Sequence, residues 1–336
     1  MNMHCPRCGE EISNDTGSCE YCGFQYRKKN PHYRTTIISF SIILIVGLSL
    51  FHFLRYDTDE SDIMIQAAGR EMEKGISIVK ETEENLSSLR DVHHEIIDHA
   101  MVEREYASRS AEMVLSAIMR LEEATYSFER AETFYTRCQS LHLSKQRNEY
   151  LDLELQLVTT YEEYVSILTE LCQNYAIYYQ FSVPYLTGEH LLVIILSDMD
   201  RGNDHLEGEN YTFAAAAYES ALRKLELLNQ EYTQAHAILQ LQYTSDFLSN
   251  LEYLERALND LLDAAHQLEE GNVAIANFLA LQGMNEVQSF LHINQSAFQT
   301  QMALWYHTHI TDLQEKKNVL SRQIRALEEK KSKEEW

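Results

Sequence analysis

The sequence predicts an all-α protein of long helical hairpins or a bundle with coiled-coil character, preceded by a small cysteine-paired segment and one transmembrane helix. Three observations carry this. Breakers are scarce: of eleven glycines and three prolines, none lies within Ile76–Val183, none between Glu209 and Glu270, and none after Gly283. Loops need such residues, and a chain without them that is rich in Leu, Glu, Ala and Gln runs as helix. Apolar residues then recur at alternating spacings of three and four, the rhythm of helices that pack on helices. Finally, residues 36–54 contain no formal charge.

The first element, residues 1–26, holds Cys5-x-x-Cys8 and Cys19-x-x-Cys22, with Gly9 and Gly23 after the second cysteine of each pair. Two tight turns supplying four thiolates suit a closed, structural tetrahedral Zn²⁺ site. So short a segment buries little core, and metal binding would supply most of its folding free energy. CPRCG…CEYCG resembles the zinc-ribbon segments at the N-termini of many prokaryotic membrane and regulatory proteins. That resemblance covers about 23 residues. It implies one zinc ion, a small β-ribbon and the ligands Cys5, Cys8, Cys19 and Cys22, but no particular activity. Disulfides and a four-cysteine iron site are the rival readings.

A basic linker, 27–35, leads into the span 36–54, TIISFSIILIVGLSLFHFL. Its 19 residues reach roughly 28 Å as a helix, close to the ~30 Å hydrocarbon core. The following FHFLRYDTDESD offers no cleavage site for a signal peptide. Arg27, Lys28, Lys29 and Arg34 precede the span, whereas Arg55 alone follows it before Asp57, Asp59, Glu60 and Asp62. The positive-inside rule places the N-terminus in the cytoplasm. That side is reducing, which favours a thiolate site over disulfides.

After an acidic linker, 55–61, the remainder (62–336) reads as a helical bundle or stalk. From Asp57 onward there are 22 basic and 48 acidic residues. Such a surface repels nucleic acid and anionic lipid, and favours cations, basic partners or solubility. Four stripes stand out: Ala111–Val114–Ile118–Leu121–Thr125–Phe128; Val158–Tyr161–Val165–Leu168–Cys172–Tyr175–Tyr179; Phe247–Leu251–Leu254–Leu258–Leu261–Ala265–Leu268; and Tyr306–Ile310–Leu313–Leu320–Ile324–Leu327, with Lys317 interrupting the last. Breaks are expected at Gln139–Asn148, Ser182–Gly188, around Gly208, at Ser245 and at Gly271. Residues 61–137 as one helix would form a stalk of roughly 115 Å, unless kinked near Asp91–His99.

Gly202, Tyr211, Ala214, Tyr218 and Ala221 stand where a tetratricopeptide helix pair wants Gly, aromatic, Ala, aromatic and Ala. The stretch resembles that repeat weakly, and the resemblance implies two closely packed antiparallel helices. LEGEN at Gly208 is echoed by LEEGN at Gly271, 62 to 63 residues on. This fits either a hairpin duplication or two similar turns, and not the 34-residue repeat period.

HHEIIDH, His93–His99, is the best candidate for chemistry. A zinc-protease helix needs His-Glu-x-x-His, but Asp98 takes the second histidine position and His99 is displaced by one. A solvated or bundle-facing helix is the simpler reading. His307 and His309, two apart, read as surface. Twenty tyrosines are expected at helix interfaces with hydroxyls at the rim, and the acidic residues as a solvated face. Cys138 and Cys172 sit on stripes flanking the turn near residue 144, either as buried thiols or as a disulfide. No phosphate-cradling glycine loop, nucleophile elbow or paired di-iron motif is present. The expectation is a single-pass, non-enzymatic protein. Its zinc ribbon is cytoplasmic, and its extracytoplasmic helical domain binds a protein partner or itself. The alternatives are a sensor signalling from the outer bundle to the ribbon, and a metal-dependent hydrolase using His94, Glu95, Asp98 and His99.

Overall fold

A computed structural model describes residues 3–5, 7–9, 11–12, 19, 21–23, 60–90, 92, 96–141, 143–292 and 295–334. The chain divides into two compact units, Met1–Ile63 with Leu141–Leu143, and Met64–Ser140 with Ser144–Trp336. The basic linker, the predicted span 36–54 and most of the acidic linker lie outside the described residues. Among the described residues no helix is long and apolar enough to cross a membrane.

In the first unit, β1 (Met3–His4) pairs antiparallel with β2 (Glu11–Ile12), in the register Met3 to Ile12 and His4 to Glu11. The second unit is built from long helices packed together. These are α1 (residues 60–87, entering the unit at 64), α2 (Ile96–Gln139), α3 (Lys145–Glu207), α4 (Tyr211–Ile238), α5 (Gln242–Glu269), α6 (Val273–Leu291), α7 (Gln295–Tyr306) and α8 (Asp312–Glu334). A π-helical turn, His307–Thr311, joins the last two.

Helices α1 and α2 do not form one stalk. They run antiparallel, tied by Glu71 to Arg130 at 2.9 Å, Lys74 to Glu123 at 2.7 Å, and Glu81 to Arg120. A Cβ on Gly75 would meet the Phe128 ring at 2.6 Å, so the helices touch there. The reversal contains neither Gly nor Pro, which is why the sequence conceals it. Long-range hydrogen bonds hold it instead. Tyr106 accepts from the Arg90 N–H and donates to the Ser88 carbonyl, both at 3.0 Å. Tyr178 accepts from the Val92 N–H at 3.0 Å, and Tyr179 donates to the Arg90 carbonyl at 2.7 Å.

The spine is α3, with 63 residues and therefore about 95 Å long. Ser144 caps it by accepting from the Arg147 N–H at 3.3 Å. All seven residues of its predicted stripe are buried, and Leu157, Tyr164, Leu171 and Tyr178 form a second buried stripe beside the first. Its N-terminal half can therefore serve α1, α2 and α8 at once. Tyr164 bonds Glu83 of α1, and Phe128 of α2 stacks on Tyr161 at 5.3 Å. Tyr161 reaches Glu328 of α8 at 2.9 Å.

The expected break at Ser182–Gly188 is absent, and α3 continues through Pro184. A mid-helix proline forfeits a backbone hydrogen bond and costs about 3 kcal/mol. Here the fully buried aromatic packing on both sides of it offsets that cost. Tyr185 stacks on Phe298 of α7 at 4.2 Å, and Phe181 lies beside the same ring. Ser182 and Thr187 donate to the carbonyls of Tyr178 and Val183. Gly188 serves packing: a Cβ there would meet the Tyr232 ring at 2.6 Å.

From the C-terminal half of α3 the chain steps through antiparallel neighbours, α3 to α4 to α5 to α6. The break expected at Ser245 falls earlier, at Leu239–Leu241, and Thr244 donates back to the Leu241 carbonyl at 2.8 Å. The two echoed turns share one geometry at an offset of 62. The Asn210 N–H reaches the His205 carbonyl at 2.8 Å, and the Asn272 N–H reaches that of Gln267 at 2.8 Å. The left-handed residue is Glu209 (φ 57°) in the first turn and Gly271 (φ 82°) in the second. The tetratricopeptide-like positions do pack an antiparallel pair, with Ala214, Tyr218 and Ala221 fully buried. Helices of 63 and 28 residues, however, do not fit a 34-residue repeat.

Candidate metal centre

The four N-terminal cysteines come together by local folding. The Gly9 N–H reaches the Cys5 carbonyl at 2.9 Å and the Gly23 N–H that of Cys19 at 2.8 Å, so both pairs form the same turn. Gly9 and Gly23 adopt φ of 81° and 70°, the left-handed region where a side chain is strained. Their place after each second cysteine follows from that.

The Sγ atoms of Cys5 and Cys22 are 3.6 Å apart, those of Cys8 and Cys19 3.5 Å, and all four lie within 4.8 Å of one another. A tetrahedron with metal–sulfur bonds of ~2.3 Å has edges of about 3.8 Å. The donor set therefore fits one tetrahedral ion. Cys5 and Cys19 are 2% and 3% exposed, whereas Cys8 faces solvent and Cys22 is half-buried. Burial by itself raises the Cys5 thiol. The backbone N–H groups of Arg7 and Cys8 and the neighbouring Cys8 and Cys22 sulfurs outweigh it and bring the thiol down to about 6. A thiol so lowered is poised to bind metal as thiolate.

The second sequence candidate fares differently. His93, His94 and Glu95, and the side chains of Asp98 and His99, lie outside the described residues. His307 and His309 are exposed, as expected. Cys138 and Cys172 are buried thiols that form no disulfide. Gln139 bonds Asp152, which places Cys138 beside the first turns of α3. Cys172 lies about twenty residues further along α3, some 30 Å away, whereas a disulfide needs Cα atoms within ~7 Å. Both flank the turn near residue 144 in sequence, but Cys138 lies six residues before it and Cys172 twenty-eight after it, too far along α3 to return to Cys138.

Sequence reasoning missed the acidic residues that are structural. Glu154, 1% exposed, is held by Lys331 at 2.7 Å and by Tyr150. Asp198 takes Arg201 and Lys224, and Glu103 takes Arg90 at 2.8 Å. Tyrosine hydroxyls join helices through carboxylates in Tyr164–Glu83, Tyr232–Glu189 and Tyr161–Glu328. These partners are 43 to 167 residues apart, so no local signal marks them. No known protein family, curated protein or solved structure matches the chain.

Proposed function

We propose that the chain is a membrane-anchored, non-enzymatic interaction protein. A structural zinc ribbon at its N-terminus lies in the cytoplasm, one span at 36–54 crosses the membrane, and the acidic helical unit lies outside and makes protein contacts. The observation that carries this reading is the four-sulfur cluster, with spacing suited to a closed tetrahedral ion. It lies on the basic, reducing-side flank of a charge-free stretch of membrane-spanning length. A closed shell of four cysteines leaves no open position for substrate, so the ion would stabilise the fold. Zinc is the metal this donor set and geometry favour. The helical unit supports the interaction role through its stepped array α3–α6, since stacked helical hairpins offer broad surfaces.

Metal analysis of the purified full chain tests the site. The expected result is one zinc per chain, lost in Cys19→Ser and replaceable by Co²⁺ with thiolate charge-transfer absorption. Zinc retained in Cys19→Ser, or a second equivalent bound by the helical unit, would overturn it. The second result would favour the histidine cluster at 93–99.

A further inference from the structure

The outer face of α6 is unlike the rest of this acidic molecule. Phe278, Leu281 and Met284 are 66%, 62% and 58% exposed, and Val273, Ile275 and Leu291 are exposed by more than half. The opposite face, with Ala276, Gly283 and Phe290, is buried. It packs tightly on α5: a Cβ on Gly283 would stand 2.9 Å from the Ala257 carbonyl oxygen. Helix α6 contains a single charged residue, Glu286, which turns toward α5 and meets Arg256 at 3.4 Å. The exposed face thus offers only apolar and uncharged polar side chains, on a protein of net charge −24.

We infer that this face is a homodimer interface, with α6 of one copy packed antiparallel on α6 of a second. Three arguments select a second copy as the occupant. Two chains of net charge −24 repel each other, and a charge-free face lets them approach without like charges opposed. As the last helix of the stepped array, α6 would be expected to cap it with a polar outer face; an apolar one calls for a further layer. The area is also adequate. Val273, Phe278, Leu281, Met284 and Leu291 fall within about 80° of Leu281 around the helix, and at half to two thirds exposure they remove several hundred Å² per copy from water, a large part of the ~800 Å² per partner of a standard interface.

The pattern is also self-complementary. Leu281 sits near the middle of the helix and of the exposed face, with Phe278 and Met284 three residues to either side. A two-fold axis at Leu281 pairs it with itself and each Phe278 with the other copy's Met284, as an isologous interface requires. This rests on the reading of the helical unit as an interaction module and adds its partner.

The test uses the purified full chain in mild detergent. Leu281→Cys should oxidise to a disulfide-linked dimer, whereas Met119→Cys, equally exposed on α2, should not. Leu281→Glu should weaken the dimer at least tenfold by sedimentation velocity with an unchanged circular dichroism spectrum. Because residue 281 meets itself, mixing Leu281→Glu with Leu281→Lys chains should restore dimers that neither forms alone. A wild-type chain that stays monomeric would overturn the inference. So would a dimer untouched by Leu281→Glu. A Leu281→Cys thiol shielded from maleimide in a monomer would also overturn it, since lipid or residues 36–54 would then cover the face. None of these failures alters the zinc content, so the two readings fall separately.

Discussion

Replacing Gly202 with alanine sets two effects of known size against each other. In an exposed helix interior the change gains about 1 kcal/mol of propensity. At Gly202 the new methyl would stand 2.5 Å from Cε1 and 2.7 Å from Cζ of Tyr218. Carbon atoms rest at ~3.5–4.0 Å, so the ring or α4 must retreat by about 1 Å. Tyr218 has nowhere to go. It is fully buried, and its hydroxyl donates to Asn203 Oδ1 at 2.7 Å. Overpacking of this kind costs about 1–3 kcal/mol, and straining the hydroxyl bond costs about 1 kcal/mol more. The net loss is therefore about 1–3 kcal/mol, a fall in melting temperature of roughly 2–12 °C for a unit of this size. Gly69 in α1 is the matched control, because nothing lies within 4 Å of a Cβ built there. Gly69→Ala should raise the melting temperature by about 2–4 °C. Thermal melts followed by circular dichroism read both. If Gly202→Ala stabilised as much as Gly69→Ala, the close α3–α4 contact would be wrong, and with it the order of the array.

Two further outcomes follow from the buried carboxylates. Burial raises the Glu189 carboxyl above its ordinary range, and the Tyr232 hydroxyl bond only partly offsets this. A carboxyl raised in the folded state penalises folding at pH above that raised value. The penalty fades as pH falls through it and is gone below the unfolded value of ~4.3. Glu189→Gln, which keeps an acceptor for Tyr232, should therefore melt higher than wild type at pH 7 and converge with it near pH ~4. Lys331→Met leaves the Glu154 carboxylate buried with the Tyr150 and Tyr135 hydroxyls as its remaining close partners. The loss should be about 2–3 kcal/mol by chemical denaturation, below that of a fully buried pair because Lys331 keeps 27% exposure. Adding Glu154→Gln should recover most of it.

Local features of this fold were legible in the sequence, and non-local ones were not. Buried stripes on α3 and α5 follow from apolar spacing, and the turn at Gly271 follows from its glycine, whereas in the matching turn the left-handed position falls on Glu209, one residue after Gly208. The cysteine cluster is also local: two four-residue turns and their glycines determine it. The α1–α2 reversal was hidden because Tyr106, Tyr178 and Tyr179 hold it from up to 89 residues away. The passage of α3 through Pro184 was hidden for a similar reason. Its neighbours Phe298 and Tyr232 come from α7 and α4, and proline chemistry alone argues for a stop. Composition likewise cannot separate a solvated glutamate from Glu154. That distinction depends on Lys331 arriving from the far end of the chain.

The central claim is an outward-facing helical unit joined across the membrane to a cytoplasmic zinc ribbon. It is tested most directly by labelling intact cells with a membrane-impermeant thiol reagent. The chain would carry one added surface cysteine, either near Lys29 or after Lys331. Cys138 and Cys172 would be replaced by serine to remove background. Labelling at the C-terminal site alone is the predicted result. Labelling near Lys29 alone would invert the topology, place the four cysteines on the oxidising side, and contradict the account.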